Sequence, residues 1–223
     1  MTQKIGFIGY SSHAERFSEI LNLGDHVDYW PDSGASVCAI WEENPERAAQ
    51  VAEYGKIPLV ASSPEQVVAE SDLVLLIVAR DPGVHLELAR PVIEAEPVFV
   101  DKPMVRTPDD ARELLSLVRD AGIPMASFTT LRYGSDTERY AEGFRNIGPV
   151  RYASYVGPAH RTHPYGGFEF YAVHSVEVML QFHGTDVVSV QAIEHRPGAD
   201  RSNTIAACAF GDGTLVMLGL VGD

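Results

Sequence analysis

Asp101-Lys102-Pro103 directly follows the short apolar run Val98-Phe99-Val100. A lysine at the C-terminal end of a buried strand faces the crevice where doubly wound sheets bind ligands. Proline lacks an N–H and fixes its own φ, so the strand must stop at Pro103. In a low-dielectric crevice the ammonium form is disfavoured, and an amine whose pKa has fallen can move protons. A Lys-Pro after a strand is more often a plain turn, so the meaning of Lys102 depends on the residues before it.

A second candidate for chemistry lies at the other end of the same region. The apolar run Ile5–Ile8 leads into Gly9-Tyr10-Ser11-Ser12-His13-Ala14. A dinucleotide fingerprint needs a glycine for the tight turn, a glycine for backbone approach to pyrophosphate, and a small residue for helix packing. Gly9, Ser11 and Ala14 hold those positions, with serine where the middle glycine would be. Ser12 and Glu15 have capping-box spacing, and Glu15 would oppose a bound pyrophosphate unless it turned away. The bland alternative is an ordinary strand–turn–helix. Further on, Glu42 follows the run Val37–Trp41, where an acid can bind ribose hydroxyls and repel a 2′-phosphate, favouring NAD over NADP. It could equally be a solvated residue ahead of a helix cap at Asn44. Arg47 is the nearest candidate for a 2′-phosphate contact.

These residues need a scaffold, and the sequence lays one out. Apolar runs at Ile5–Ile8, Val37–Trp41, Pro58–Val60, Leu73–Ala79, Val98–Val100 and Pro124–Phe128 are near-continuous, as in strands covered on both faces. Helix-like segments alternate with them: Ala14–Leu21, Pro45–Tyr54, Pro64–Glu70, Leu86–Glu94 and Pro108–Ala121. Asn44-Pro45, Ser63-Pro64 and Thr107-Pro108 each set a capping residue before a first-turn proline, and Gly55 and Gly122 follow helix ends as C-caps do. The fold class expected is α/β, a doubly wound parallel Rossmann sheet over residues 1–126. From residue 127 to 223 the pattern changes to an α+β domain with an antiparallel sheet: a helix at Asp136–Asn146, a strand at Val150–Val156, a helix at Tyr171–Phe182, and strands at Val187–Glu194, Thr204–Phe210 and Thr214–Leu220, the last two flanking a Gly-Asp-Gly turn. That sheet looks shortened. Its last strand lies three residues from the end, so either the chain is an excerpt or a second copy covers the sheet.

The 223 residues are 45% apolar and 22% charged, which is ordinary for a globular protein. A formal net charge of -14 with no basic stripe argues against a nucleic-acid partner. Cys38 and Cys208 sit in apolar runs and read as buried free thiols, and no Cys-x-x-Cys spacing offers a thiolate zinc site. The start runs straight into a strand without a leader, and the longest apolar run is too short to cross a membrane. A cytoplasmic protein is the expectation.

The ordered motifs resemble the glucose-fructose oxidoreductase / inositol dehydrogenase (Gfo/Idh/MocA) family. The resemblance rests on Gly9–Ala14; on Ala39-Ile40-Trp41-Glu42 leading into Asn44-Pro45-Glu46-Arg47-Ala48; on Leu75–Ala79 followed by His85; on Val98–Pro103; on Arg132-Tyr133; and on His174. It implies a bound nicotinamide cofactor, NAD with NADP possible, and a hydride transfer at a sugar-like or cyclitol carbon. It also implies cofactor contacts from Gly9, Ser11, Ser12, His13, Ala14, Glu42, Ala79, Arg80, His85, Asp101 and Lys102, with Lys102 and His174 as the proton-transfer pair. The family has an aspartate four residues before that histidine. Here Phe170 stands there, and the flanking Glu169 and Tyr171 are its candidate substitutes. Asp101 replaces the family's glutamate before Lys-Pro.

Arg132 and Tyr133 would bind substrate hydroxyls or fix the hinge between domains, and His160 and His163 belong to a polar loop suited to substrate. A homo-oligomer is the implied assembly. The alternative function is a dinucleotide-binding sensor or partner subunit without catalysis. A metal reading would rest on His174 and Glu177, one helical turn apart, with His160, His163 and His183. No second tight ligand spacing supports it, so no metal is assigned.

Overall fold

The protein is described from a computed structural model covering residues 2–78, 81–196, 198 and 202–222. The chain divides into two compact units, Met1–Ser127 and Phe128–Asp223.

The first unit is a six-stranded parallel sheet in the order β3-β2-β1-β4-β5-β6. Its strands are β1 (Gln3–Ile8), β2 (Ala35–Trp41), β3 (Leu59–Val60), β4 (Leu73–Leu76), β5 (Val98–Val100) and β6 (Met125–Ala126). Five helices cross between them: α1 (Ser12–Leu21), α2 (Pro45–Gly55), α3 (Pro64–Glu70), α4 (His85–Ile93) and α5 (Pro108–Ala121). The apolar runs are continuous because both faces are covered. Ile8, Val74, Leu76, Val98 and Val100 pack with Val67 of α3, Leu86 and Val92 of α4, and Leu114 of α5. Ile5, Phe7, Ile40 and Ile77 pack on the other face with Ala14 of α1 and Val51 of α2. The order reverses direction between β1 and β4, and ligands of open α/β sheets bind at such a switch point.

Local signals work as their chemistry dictates, with two exceptions. Asn44, Ser63 and Thr107 each cap the helix that begins with the following proline. Gly122 closes α5 at φ 71. The first correction is Gly55, which is the last residue of α2 rather than its cap; Lys56 takes the left-handed cap at φ 51. Gly55 is glycine because a Cβ there would sit 2.5 Å from Ser18 Oγ and 2.7 Å from Ser18 Cβ on α1. The second is the start of α1: Ser11, not Ser12, is its N-cap, and the Ser11 hydroxyl accepts the His13 N–H at 3.1 Å.

The second unit carries α6 (Ser135–Asn146), β7 (Tyr152–Pro158), α7 (Glu169–His183), β8 (Val187–His195), β9 (Asn203–Phe210) and β10 (Leu215–Val221). Its sheet runs β7-β10-β9-β8 and is mixed, not antiparallel as expected. The β8–β9 and β9–β10 pairs are antiparallel, but β10 lies parallel to β7. The reason is the strand order: α7 carries the chain from β7 at one edge to β8 at the other, and the antiparallel succession β8, β9, β10 brings β10 back alongside β7. Ala172 and Met179 of α7 pack on Cys208, Phe210, Val216, Leu218 and Leu220. The opposite face is open and apolar. Val156, Gly219, Ile205 and Ile193 form one row across it, with Val156 and Ile193 each 77% exposed. Cys208 is buried and Cys38 half-buried, both as free thiols. Among the described residues no helix is long and apolar enough to cross a membrane.

Candidate active site

The tips of β1, β2 and β5 carry the candidate groups of the first unit. Gly9 follows β1 at φ 87, and its N–H donates to the Trp41 carbonyl at 2.8 Å. A Cβ at Gly9 would collide with Val78 Cγ2 and stand 2.8 Å from the Ile77 carbonyl, so only glycine fits this turn. Ser11 adopts φ -147, an extended conformation open to any residue, so serine in place of glycine strains nothing. Its hydroxyl is turned into its own helix as the cap, and the residue is 5% exposed. Ala14 is fully buried against the sheet, the small-residue contact the third fingerprint position requires. The Tyr10 hydroxyl donates to Glu15 Oε1 at 3.3 Å, which ties that carboxylate to Tyr10.

Glu42 is engaged by Arg47, whose Nη1 donates to Glu42 Oε1 at 3.1 Å, and the Arg47 guanidinium lies over the Tyr10 ring at 5.2 Å. Sequence reasoning named Arg47 but could not see that the acid, the base and the aromatic ring form one group.

At the tip of β5, Asp101 and Lys102 are 4% and 7% exposed. The Asp101 N–H donates to the Leu76 carbonyl at 2.9 Å, which extends the strand pairing by one residue. Asp101 Oδ1 accepts the Lys102 backbone N–H at 2.8 Å, and Oδ2 accepts Nδ1–H of His13 at 2.8 Å. Burial lowers the Lys102 pKa, and the Asp101 charge opposes that by raising it. The Lys102–Pro103 peptide is cis. Behind it His85 is fully buried, its Nδ1–H donating to the Met104 carbonyl at 3.0 Å. Burial holds the His85 imidazole neutral by lowering its pKa. With no exposed surface, His85 anchors the loop after Lys102. Ala79 and Arg80 lie outside the described residues.

In the second unit the loop after β7 and the first turn of α7 gather aromatic rings. His163 stacks on Phe170 with centroids 4.3 Å apart and 8° between planes. Tyr171 meets His163 at 5.0 Å, His160 at 5.5 Å and His174 at 6.3 Å. Glu169 stands apart. Two residues from Tyr171 on a helix is about 200° around the axis, and Glu169 is exposed, lining a cavity of about 610 Å³ with Arg161, Phe168, Glu194 and Thr204. Of the two candidates for the family's aspartate, only Tyr171 therefore shares surroundings with His174.

Glu177 and His183, weighed as metal ligands, have other tasks. Glu177 Oε2 accepts the Thr129 N–H at 2.7 Å, ahead of a 3-10 turn at Thr130–Tyr133, and His183 Nε2 pairs with the Tyr155 hydroxyl at 3.0 Å. Burial pushes the Tyr155 hydroxyl up to about 12. Arg132 donates to Gln181 Oε1 at 3.2 Å and lies over its neighbour Tyr133 at 5.6 Å. Among the described residues no three His, Cys, Asp or Glu side chains gather closely enough to hold a metal.

Residues 3–127 match the family model GFO_IDH_MocA, described as an oxidoreductase family with an NAD-binding Rossmann fold. The chain belongs to this oxidoreductase family. Its Rossmann unit is the NAD-binding domain of GFO_IDH_MocA proteins. No curated protein matches the chain in sequence.

Solved structures share the fold across nearly its whole length. The UDP-N-acetylglucosamine 3-dehydrogenase GnnA from Acidithiobacillus ferrooxidans is 18% identical with a TM-score of 0.78, over 99% of this chain and 70% of that one. Biliverdin reductase from Synechocystis sp. PCC 6803, solved with biliverdin and NADP+, is 19% identical with a TM-score of 0.73, over 99% and 73%. GenD2 from gentamicin A biosynthesis, solved with NAD, is 16% identical with a TM-score of 0.80, over 98% and 65%. The turn of this GFO_IDH_MocA chain fits such a cofactor: Gly9 leaves no Cβ there, and Ala14 packs closely under the first turn of α1.

Proposed function

We propose that the protein is an NAD(P)-dependent dehydrogenase or reductase acting at a hydroxyl or ketone carbon of a sugar-like or cyclitol substrate. The observation that carries this reading is the buried Lys102 at the tip of β5, with a pKa lowered by burial. The bound nicotinamide supplies hydride acceptance or donation. The protein's part is the proton. Oxidation of a carbinol needs a base for the hydroxyl proton, and a desolvated lysine can be one. His174 is the second proton-transfer group, with Tyr171 assisting; Glu169 is the lesser candidate. Gly9, Ser11, Ser12, His13 and Ala14 form the turn toward pyrophosphate, which a helix N-terminus favours. Glu42 faces the adenosine ribose and gives NAD the preference, and Asp101 supports the nicotinamide end. Arg132, Tyr133, His160 and His163 recognise substrate hydroxyls.

That one similar structure is a UDP-sugar dehydrogenase supports the sugar class, while biliverdin reductase marks how far substrates range on this fold. The open apolar row on the second sheet supports a homo-oligomer. Phe170 stacked on His163, in the position of the family aspartate, favours a second reading, a dinucleotide-binding sensor or partner subunit.

Fluorescence titration with NADH and NADPH, followed by a polyol and sugar panel read by NADH formation, tests both. Tight binding with turnover lost in Lys102→Ala supports the enzyme. Tight binding with no turnover across the panel gives the sensor reading the lead.

A further inference from the structure

We infer that His13 is a positioning residue for Lys102: by donating to Asp101 it blunts the carboxylate beside the lysine and sets how readily that lysine gives up its proton. His13 lies on the first turn of α1, and Asp101 lies 88 residues later at the tip of β5. Their 2.8 Å contact ties the dinucleotide-binding turn to the backbone from which Lys102 projects. The carboxylate can only accept, so the shared proton resides on Nδ1 of His13. Asp101 is thus held at both oxygens, by His13 and by the Lys102 backbone N–H.

The geometry makes His13 a fixed partner. Its backbone N–H is held by Ser11 Oγ, and its ring lies 6.0 Å from that of Phe17. The other groups around this corner act differently. From α1, Glu15 is tied to the Tyr10 hydroxyl. From α4, His85 is neutral and bonded to Met104, and Asp81 beyond it pairs with Arg106 at 2.7 Å. His13 therefore stands as the counter-group to Asp101. Asp101 is buried and its His13 partner 35% exposed; loss of that donor leaves the carboxylate acting at closer to full strength on a neighbouring ammonium. Burial and Asp101 pull Lys102 in opposite directions, so His13 decides how much of the second influence remains.

This deepens the proposed function, and rests on it only for the kinetic consequence. The direct test needs neither substrate nor cofactor. The sequence holds three lysines, Lys4, Lys56 and Lys102, so protein labelled with carbon-13 at lysine Cε gives three signals to titrate by NMR. In the wild type the Lys102 midpoint lies below the ordinary lysine value. His13→Leu is expected to move the Lys102 midpoint up, and Asp101→Asn to move it down, with unchanged circular dichroism and amide NMR spectra as proof of an intact fold. In the Asp101→Asn background, His13→Leu should add nothing. Should His13→Leu not fold, His13→Gln replaces it and must raise the midpoint by a smaller step. An unchanged or lowered Lys102 midpoint in the His13 variant, or the same direction of movement in the His13 and Asp101 variants, overturns the inference. A merely structural role predicts no such opposed pair. A failed titration leaves the oxidoreductase reading standing, and a failed substrate screen leaves the titration standing.

Discussion

Arg47 donates to Glu42 across 3.1 Å while its guanidinium rests on the Tyr10 ring, so the acid expected to meet the adenosine ribose is already engaged by a cation. Both side chains are partly buried, Glu42 the more so. The pair makes cofactor preference a balance. Glu42 repels a 2′-phosphate, and Arg47 would welcome one if released. Glu42→Ala is expected to weaken NADH binding about tenfold, the loss of one hydrogen bond to a charged group, and to strengthen NADPH binding. Arg47→Ala should shift preference the other way. Fluorescence titration with both cofactors checks this; parallel losses for both would mean that the pair only holds the fold.

Ser11 supplies a second expectation. Replacing a serine N-cap by alanine costs about 1 kcal/mol, whereas glycine costs only a few tenths. Ser11→Ala should therefore lower stability in chemical denaturation, while Ser11→Gly leaves it nearly unchanged. Ser11→Gly also frees the His13 N–H, which the serine hydroxyl occupies at 3.1 Å. It should tighten NADH binding several-fold, because it frees an N–H at the start of α1 for the pyrophosphate proposed to bind there.

The Rossmann unit was legible because its signals are local. Continuous apolar runs, proline-marked helix starts and Gly9 each state their structure within a few residues. What escaped were meetings between distant residues. The bond between His13 and Asp101 spans 88 positions, and nothing in either motif announces it. Gly55 read as a cap because glycines after helices usually are caps; its actual reason, the approach of Ser18 from α1, is tertiary. The β7–β10 pairing escaped because a hairpin signal fixes only neighbouring strands, and the long return through α7 left the fourth strand's direction open. In the candidate site, Glu169 and Tyr171 were equivalent on paper. The helical rotation of about 200° between them separates the two.

Gly55→Ala sets two known effects against each other. Alanine gains about 1 kcal/mol over glycine in a helix interior, and less at the last helical position that Gly55 holds. Here the added Cβ lies 2.5 Å from Ser18 Oγ, and Ser18 is fully buried with its hydroxyl donating to the Ala14 carbonyl. Overpacking of this kind costs about 1–3 kcal/mol, so the variant is expected to be destabilised. Thermal or urea unfolding decides it; an unchanged or raised midpoint would mean that α1 and α2 slide apart at little cost.

Lys102 carries a pH dependence of its own. Its folded pKa lies below the ordinary lysine value because burial disfavours the ammonium. Between the lowered folded value and the unfolded one, the unfolded chain binds more protons, so this group makes stability rise with pH across that window. Below the folded value the full penalty of the buried charge is present. Lys102→Met should therefore stabilise the protein at neutral pH and flatten the alkaline part of its stability profile. With the neutral amine as the proposed base, kcat/KM for alcohol oxidation should rise with pH through the same titration. Lys102→Arg keeps the charge but cannot deprotonate. It should lose about a hundredfold or more in kcat while binding NADH within a few-fold of wild type. An arginine variant that keeps its turnover and its alkaline limb would assign the proton transfer elsewhere, with His174 the next group to replace.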